Sequence, residues 1–374
     1  MAATASVASR EISRAADWRD EIPDSHRGPL RLWFWSVAAM TFAVLVVGGI
    51  TRLTLSGLSI VDWHPVMGVI PPLSDAQWQQ AFERYQQFPD YTWRQDMGLA
   101  EFKFIYFWEW LHRLLARTIG LVFLIPFVVF TVKGWLPRPL MRRALVLFGL
   151  GGMQGLMGWL MVMSGLVDRP SVSHYRLAAH LSLAFLIFGF AVWLARELKV
   201  RATSALDRND RRVLVRGLGI VGVLLAVQVV WGAFVAGLKA GKIYPTFPLM
   251  GGRLVPGNLL EMDSTLLNFI ANPAAVQWVH RVIGTLLTLS VIGLFVTVRR
   301  RASTLARNDA GADRYSLALL GMVIVQYALG VATLLMHVPV SLGVIHQSVA
   351  MILFGVWLAW LHQTLRTPVR AGAT

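Results

Sequence analysis

Apolar residues in this chain come in long runs rather than in alternation. Eight stretches, at roughly 32–50, 106–130, 142–163, 175–196, 213–236, 276–298, 314–336 and 342–364, are apolar nearly throughout. A bilayer core takes ~20 residues of helix to cross, whereas a membrane strand needs only ~9–11 with a period of two. Only helices and closed barrels satisfy their backbone hydrogen bonds in lipid, so run length decides for helices. The pattern predicts an all-α membrane protein with eight transmembrane helices. The segment between the first two runs, 51–105, is long and amphipathic. Within it "SDAQWQQAFERYQQF" reads as a helix N-capped by Ser74 whose apolar face suits the membrane surface. The link between the seventh and eighth runs is only a few residues.

Composition supports the membrane reading: 56% of the 374 residues are hydrophobic and mean hydropathy is +0.56. The net charge of +15 raises the question of nucleic acid, and its distribution answers it. With the N-terminus inside, and residues at the ends of runs counted with the adjoining segment, inner segments hold 23 of the 35 Lys and Arg, outer segments hold nine, and Arg113, Arg117 and Arg281 fall deeper within spans. That is the positive-inside asymmetry, and it places both termini on the cytoplasmic side without a nucleic-acid partner. The first 31 residues mix Arg10, Arg14 and Arg19 with Glu11, Asp17, Asp20 and Glu21 and lack an apolar core, so they read as an inner tail. Zero cysteines leave no thiolate ligand, thiol nucleophile or disulfide.

The runs repeat. "EWLHRLLARTIG" in the second is echoed by "QWVHRVIGTLL" in the sixth, laying His112 on His280 and Arg113 on Arg281. "HLSLAFLIFGFAVWLA" in the fourth matches "HQSVAMILFGVWLAW" in the eighth, laying His180 on His346. The third and seventh align Gln154 with Gln326 and Gly158 with Gly330. Offsets of 168, 166 and 172 residues agree within loop differences. Four spans per repeat send both halves into the membrane in the same direction, related by an axis along its normal. The expected architecture is two pseudo-symmetric four-helix bundles: a tail (1–31), an N-terminal bundle (32–196) carrying the outer loop 51–105, a linker (197–212), a C-terminal bundle (213–365) and a tail (366–374). Glycines in "GLGGMQGLMG" and "GVIHQSVAMILFG" serve close helix packing. No G-x-G-x-x-G follows a predicted strand, so nothing supports a dinucleotide fold.

Four of the nine histidines therefore form two repeat-related pairs, His112 with His180 and His280 with His346. Each lies five to seven residues past the outer end of its span, hence ~8–10 Å deep at 1.5 Å per residue. Paired imidazoles facing across a four-helix bundle suit a haem iron, which takes axial ligands from both sides of a flat ring. Zinc wants four ligands, or three and a water, and no third ligand recurs at that depth. His26 and His362 lie on the inner side and His64 in the outer loop. His174 and His337 flank spans near the outer surface and read as interfacial polar residues able to supplement a site.

"GGITRLTLSGLSIVDWHPVMGVIPPLSDAQWQQAFERYQQFPDY", then "EFKFIYFWEWLHRLLARTIG", then the paired His-bearing helices resemble the haem A synthase family, in the branch found in mitochondria and alphaproteobacteria. The likeness covers about residues 30–365. It implies an oxidoreductase of the cell inner membrane that serves cytochrome oxidase assembly through haem A biosynthesis. The C8 methyl of haem O would become a formyl group by two successive hydroxylations with oxygen from water. It further implies that His112 and His180 flank the haem O substrate and that His280 and His346 ligate the iron of a haem B cofactor. The haem sites would lie towards the outer, periplasmic side. Haem O synthase would be a partner, together with a membrane electron acceptor and lipid; the likeness leaves homo-oligomerisation open. Some family members carry a cysteine pair in the first outer loop, and this chain has none.

The repeat also isolates a difference between the halves. Superposing "EWLHR" on "QWVHR" sets Glu109 against Gln277, so only the first half has a carboxylate beside its His. Glu109 is three residues before His112 and projects from the same helix face. The expected role is that of a general base, or a stabiliser of positive charge at the reacting methyl; the alternative is a simple pair with Arg113, four residues on. Arg52, Arg113 and Arg281 are candidate partners of haem propionates. Trp108, Trp110 and Trp278 read as belt or packing residues. Rival readings of the paired histidines are a di-haem electron-transfer cytochrome and a haem transporter.

Overall fold

A computed structural model of the chain describes residues 17–61, 67–167, 173–199, 205–301 and 311–370. Among them are ten α-helices and no strand. They are α1 (Asp24–Leu53), α2 (Asp75–Tyr85), α3 (Leu99–Val132), α4 (Arg138–Val167), α5 (His174–Glu197), α6 (Arg208–Gly237), α7 (Thr265–Ala271), α8 (Pro273–Arg300), α9 (Ala312–Leu335) and α10 (Val340–Arg366). Eight of these, all except α2 and α7, are long and apolar enough to cross a membrane. The chain is a multi-pass membrane protein.

Seven of the eight spanning helices outrun their apolar stretches at both ends. The second span was expected at 106–130, but α3 begins at Leu99 because its first turns pack on protein as well as lipid. Phe82 and Tyr85 of α2 lie against Phe102, with ring centroids 5.1 and 5.3 Å apart, and Trp78 meets Tyr106 edge-on. The N-cap expected at Ser74 is present, and Gln77 closes it into a capping box. The apolar face of α2 thus packs on α3. Next to it the Tyr85 hydroxyl donates to Asp90 at 2.7 Å. Burial, and after it that bond, push the Tyr85 phenol above its ordinary range.

The spans close into two rings. In the first, α1 packs on α3 and α5, and α4 joins α3 to α5; in the second, α6 packs on α8 and α10, and α9 joins α8 to α10. The rings meet where α1 and α5 lie against α10 and α6. With inner naming the end of the rings at which α1 begins and outer the opposite end, a large core fills the inner half of the first ring and another fills the second, and Trp357 packs against both. Where the rings meet, a Cβ on Gly189 would stand 2.8 Å from Phe354, so only glycine lets these helices approach. At the inner end, Glu197 of α5 accepts from Arg143 of α4 and Arg366 of α10, and from Trp193 Nε1 at 3.2 Å. At the outer end Arg52 of α1 donates to the Ala236 carbonyl of α6.

Candidate functional site

The four repeated histidines stand on diagonal helices of their rings. His112 (α3) and His180 (α5) share the first, and His280 (α8) and His346 (α10) share the second. Every one of them looks at a glycine on a neighbouring helix. A Cβ on Gly48 would stand 2.8 Å from His112 Nε2; on Gly158, 3.5 Å from His180 Cε1; on Gly232, 3.2 Å from His280 Cε1; on Gly330, 3.0 Å from His346 Cε1. The glycines give each ring the room that a side chain would take.

Three glutamines approach the same rings. Gln154 Nε2 lies 3.4 Å from His180 Nε2, Gln326 Nε2 3.4 Å from His346 Nε2, and Gln228 Nε2 3.3 Å from His280 Nε2. Gln154 also donates to the His180 carbonyl at 3.2 Å. The Nδ1 atoms of His180, His280 and His346 and the Oε1 atoms of the three glutamines are buried without a hydrogen-bond partner. Buried polar atoms are nearly always satisfied, so this concentration of orphans marks a place built for a further group. Among the described residues no three His, Cys, Asp or Glu gather as a metal-ion site. Two imidazoles per bundle, with glycines beside them and no third ligand, fit a haem iron and do not fit zinc.

Outside the rings, α3 and α8 each clasp an outer loop. Glu109 Oε2 accepts from Ser59 Oγ and from the Ile60 N–H, both at 2.7 Å, and Oε1 accepts from Arg113 at 2.6 Å. Arg113 donates further to the Ile60 carbonyl at 2.8 Å. In the second half Gln277 Nε2 donates to the Tyr244 carbonyl at 3.2 Å, and Arg281 donates to the same carbonyl at 2.8 Å and to that of Thr246 at 2.9 Å. Two indoles complete the parallel: Trp110 Nε1 donates to the Val69 carbonyl and Trp278 Nε1 to that of Leu254. Ile60 and Tyr244 are separated by the same 184 positions as Gly48 and Gly232, so the loops are repeat mates too. Both oxygens of Glu109 act as acceptors, the arrangement of a carboxylate, and the residue is only 2% exposed.

The structure thus sets His112 and His180 on diagonal helices of the first ring, and His280 and His346 on those of the second. It sets Glu109 beside Arg113 one turn outward from His112. Arg113 and Arg281 hold backbone carbonyls of the loops, and Arg52 bridges the two rings. Of the other histidines, His174 donates through Nε2 to the Ile270 carbonyl at 3.0 Å, His362 packs edge-on to Trp193, and His26 stacks on Trp135. His337 occupies the left-handed turn between α9 and α10, and His64 lies outside the described residues. Sequence reasoning passed over Gly48, Gly232 and Gln228. A 184-residue offset between "VVGGI" and "VWGAF" was available to find the glycines; Gln228 falls on Val44 in that register and leaves no repeat signal.

Residues 31–358 match the model of the COX15-CtaA family, described as cytochrome oxidase assembly protein. The chain belongs to the COX15-CtaA family. Among curated proteins it is similar to a heme A synthase of Mesorhizobium japonicum, 43% identical over 94% of this chain and 93% of the relative. A heme A synthase of Rhodospirillum centenum is 45% identical over 90% of this chain and 88% of its own length. One of Flavobacterium psychrophilum is 41% identical over 89% and 97%. These COX15-CtaA relatives match nearly end to end, so both His-bearing bundles fall inside the similarity.

Proposed function

We propose that this chain is a haem A synthase that oxidises the C8 methyl of haem O to a formyl group. The name carried by its near full-length relatives supports the activity. The observation that carries the assignment of roles is the difference between two otherwise equivalent helices, Glu109 beside His112 and Gln277 beside His280. In this reading His112 and His180 hold haem O as substrate, and His280 and His346 ligate the iron of haem B, which supplies one-electron redox chemistry when bound. The rest of the chemistry falls to the chain's own residues.

Converting a methyl to a formyl group takes up one water and releases four electrons and four protons. The first hydroxylation forms a carbon–oxygen bond at the methyl carbon; the second gives a geminal diol, which loses water to leave the aldehyde. Glu109 is the group able to accept a proton from the attacking water or to stabilise positive charge at the carbon, and Arg113 orients its carboxylate. Gln277 accepts no proton, which suits a haem that only relays electrons. The electrons pass to a membrane acceptor, and a membrane enzyme making haem O is the supplier. The inner membrane is the proposed location, with both termini cytoplasmic and the His pairs towards the outer side.

The test is to express His-to-Ala variants in cells that make haem O but lack their own haem A synthase, then to extract and identify the haems. Wild type should yield haem A. Variants at His280 or His346 should lose the resident haem B, whereas those at His112 or His180 should keep it and make no haem A. Absence of haem A from cells holding the folded wild-type protein would sink the proposal.

A further inference from the structure

The two bundles differ most along one seam. In the register that lays Gln154 on Gln326, Gly151 falls on Val323 and Gly155 on Tyr327. In the C-terminal bundle these side chains fill the seam between α8 and α9. Val323 is 2% exposed, the Tyr327 hydroxyl shares a 3.1 Å hydrogen bond with Thr285 of α8, and its ring meets Phe247 edge-on. In the N-terminal bundle both positions are exposed glycines, and a Cβ on either would meet no atom within 4 Å.

The opposite wall is equally bare. Phe123 of α3 stacks on Phe148 of α4 with centroids 5.4 Å apart. In antiparallel helices that pairing sets Gly120 near the level of Gly151 and Ala116 near that of Gly155. Gly120 and Ala116 are exposed, and a Cβ on Gly120 would again meet nothing within 4 Å. Accordingly α3 and α4 adjoin along much less of their length than α8 and α9. Small residues that face each other without touching leave a slot, closed on its inner side by the Phe123–Phe148 stack.

The slot leads to the ligands. Gly158, one turn outward from Gly155, has the imidazole of His180 within contact of its Cβ position, and the Nδ1 of that ring is buried without a partner. Ala116 and Gly120 stand one and two turns inward of His112, so the slot descends ~6–12 Å from the level of the imidazoles into the apolar membrane depth. Its mouth faces lipid.

We propose that this slot receives the isoprenoid tail of the substrate haem and is its way in from the bilayer. The proposal rests on reading the N-terminal bundle as the substrate bundle. Haem O carries a long apolar farnesyl-derived chain that a closed four-helix ring has no room for, whereas haem B has none. The open seam suits the first and the seam filled by Val323 and Tyr327 suits the second. The paired histidines are alike in both halves, so selection between the two haems falls to the seam. Gly151 and Gly155 are then specificity-determining residues.

With no cysteine in the chain, a Gly155→Cys variant carries one thiol at the slot. The folded, purified variant is alkylated with a hydrocarbon thiosulfonate, and the group is later removed by reduction. Haem O and haem B retained per chain are measured by extraction at each stage. Blocking should lower haem O retention at least tenfold, leave haem B unchanged, and be reversed by reduction. Undiminished haem O in the blocked protein would overturn the proposal and mean that the slot holds only lipid; loss of both haems together would also overturn it. If the unmodified chain holds haem B but takes up no haem O, the substrate reading itself fails. As a second arm, Gly151→Val with Gly155→Tyr copies the closed seam and should abolish haem A formation while haem B stays at the wild-type level.

Discussion

Glu109 and Gln277 hold their loops with opposite polarity. The carboxylate accepts the Ile60 N–H, whereas the amide donates to the Tyr244 carbonyl. Replacing Glu109 by Gln therefore keeps the shape, keeps an acceptor for Ile60 or Ser59, and installs the residue that does this job in the other half. What it removes is the charge paired with Arg113. Glu109→Gln should fold, retain haem B and take up haem O. Haem A formation should fall by about 10²–10⁴, the usual worth of a positioned acid–base group. Haem A yield unchanged within a factor of two would assign Glu109 to loop anchoring alone. The histidines and the Glu/Gln contrast were legible in the sequence because they recur within helices at fixed offsets. Ser59 and Ile60, which complete the site, were not: they reach Glu109 across 50 and 49 residues, a contact that no local pattern encodes.

At the scale of elements, hydropathy fixes a helix only where lipid surrounds it. The eight spans were legible, but their ends were not, since the first turns of α3 are held by α2. The position of α2 itself depends on Tyr85, which is fully buried and bonded to Asp90. Its phenol is raised, so the folded state binds the proton more tightly than the unfolded chain does. The sign follows: the contribution is complete at and below the ordinary phenol range near ~10 and is lost only as pH rises through the higher folded value. In alkaline titration followed by tyrosinate absorbance, one tyrosine of wild type should ionise later than the rest. Tyr85→Phe should remove that late phase and raise hydrogen exchange in α2. A titration in which all the tyrosines ionise together would contradict the buried anchor.

Over the whole molecule, the two rings are fastened at both membrane faces and packed apolarly between. The outer tie is Arg52 on the Ala236 carbonyl, and by the 184-residue offset Ala236 is the repeat mate of Arg52, so this tie sits where the two halves' equivalent helix ends converge. The inner tie is Glu197, whose side chain is 2% exposed, between Arg143 of its own ring and Arg366 of the other. The repeat in sequence foretold two similar bundles but not these fasteners, because each is made by residues with no counterpart of the same type in the other half. Substituting Glu197 by Gln leaves two arginines whose side chains are 38% and 34% exposed and free to turn toward headgroup water. The cost should therefore be that of lost charge-assisted hydrogen bonds, about 1–3 kcal/mol, rather than the larger penalty of a stranded buried charge. Arg143→Ala, which leaves Glu197 with Arg366 and Trp193, should cost less. In detergent, thermal unfolding of Glu197→Gln should come several degrees earlier, with both bundles losing their haems in one transition. If the rings were independent units, the variant would instead release one haem while the other bundle kept its wild-type midpoint. The measurement thus decides whether substrate and cofactor bundles fold as a single body, as their contact along α1, α5, α6 and α10 implies.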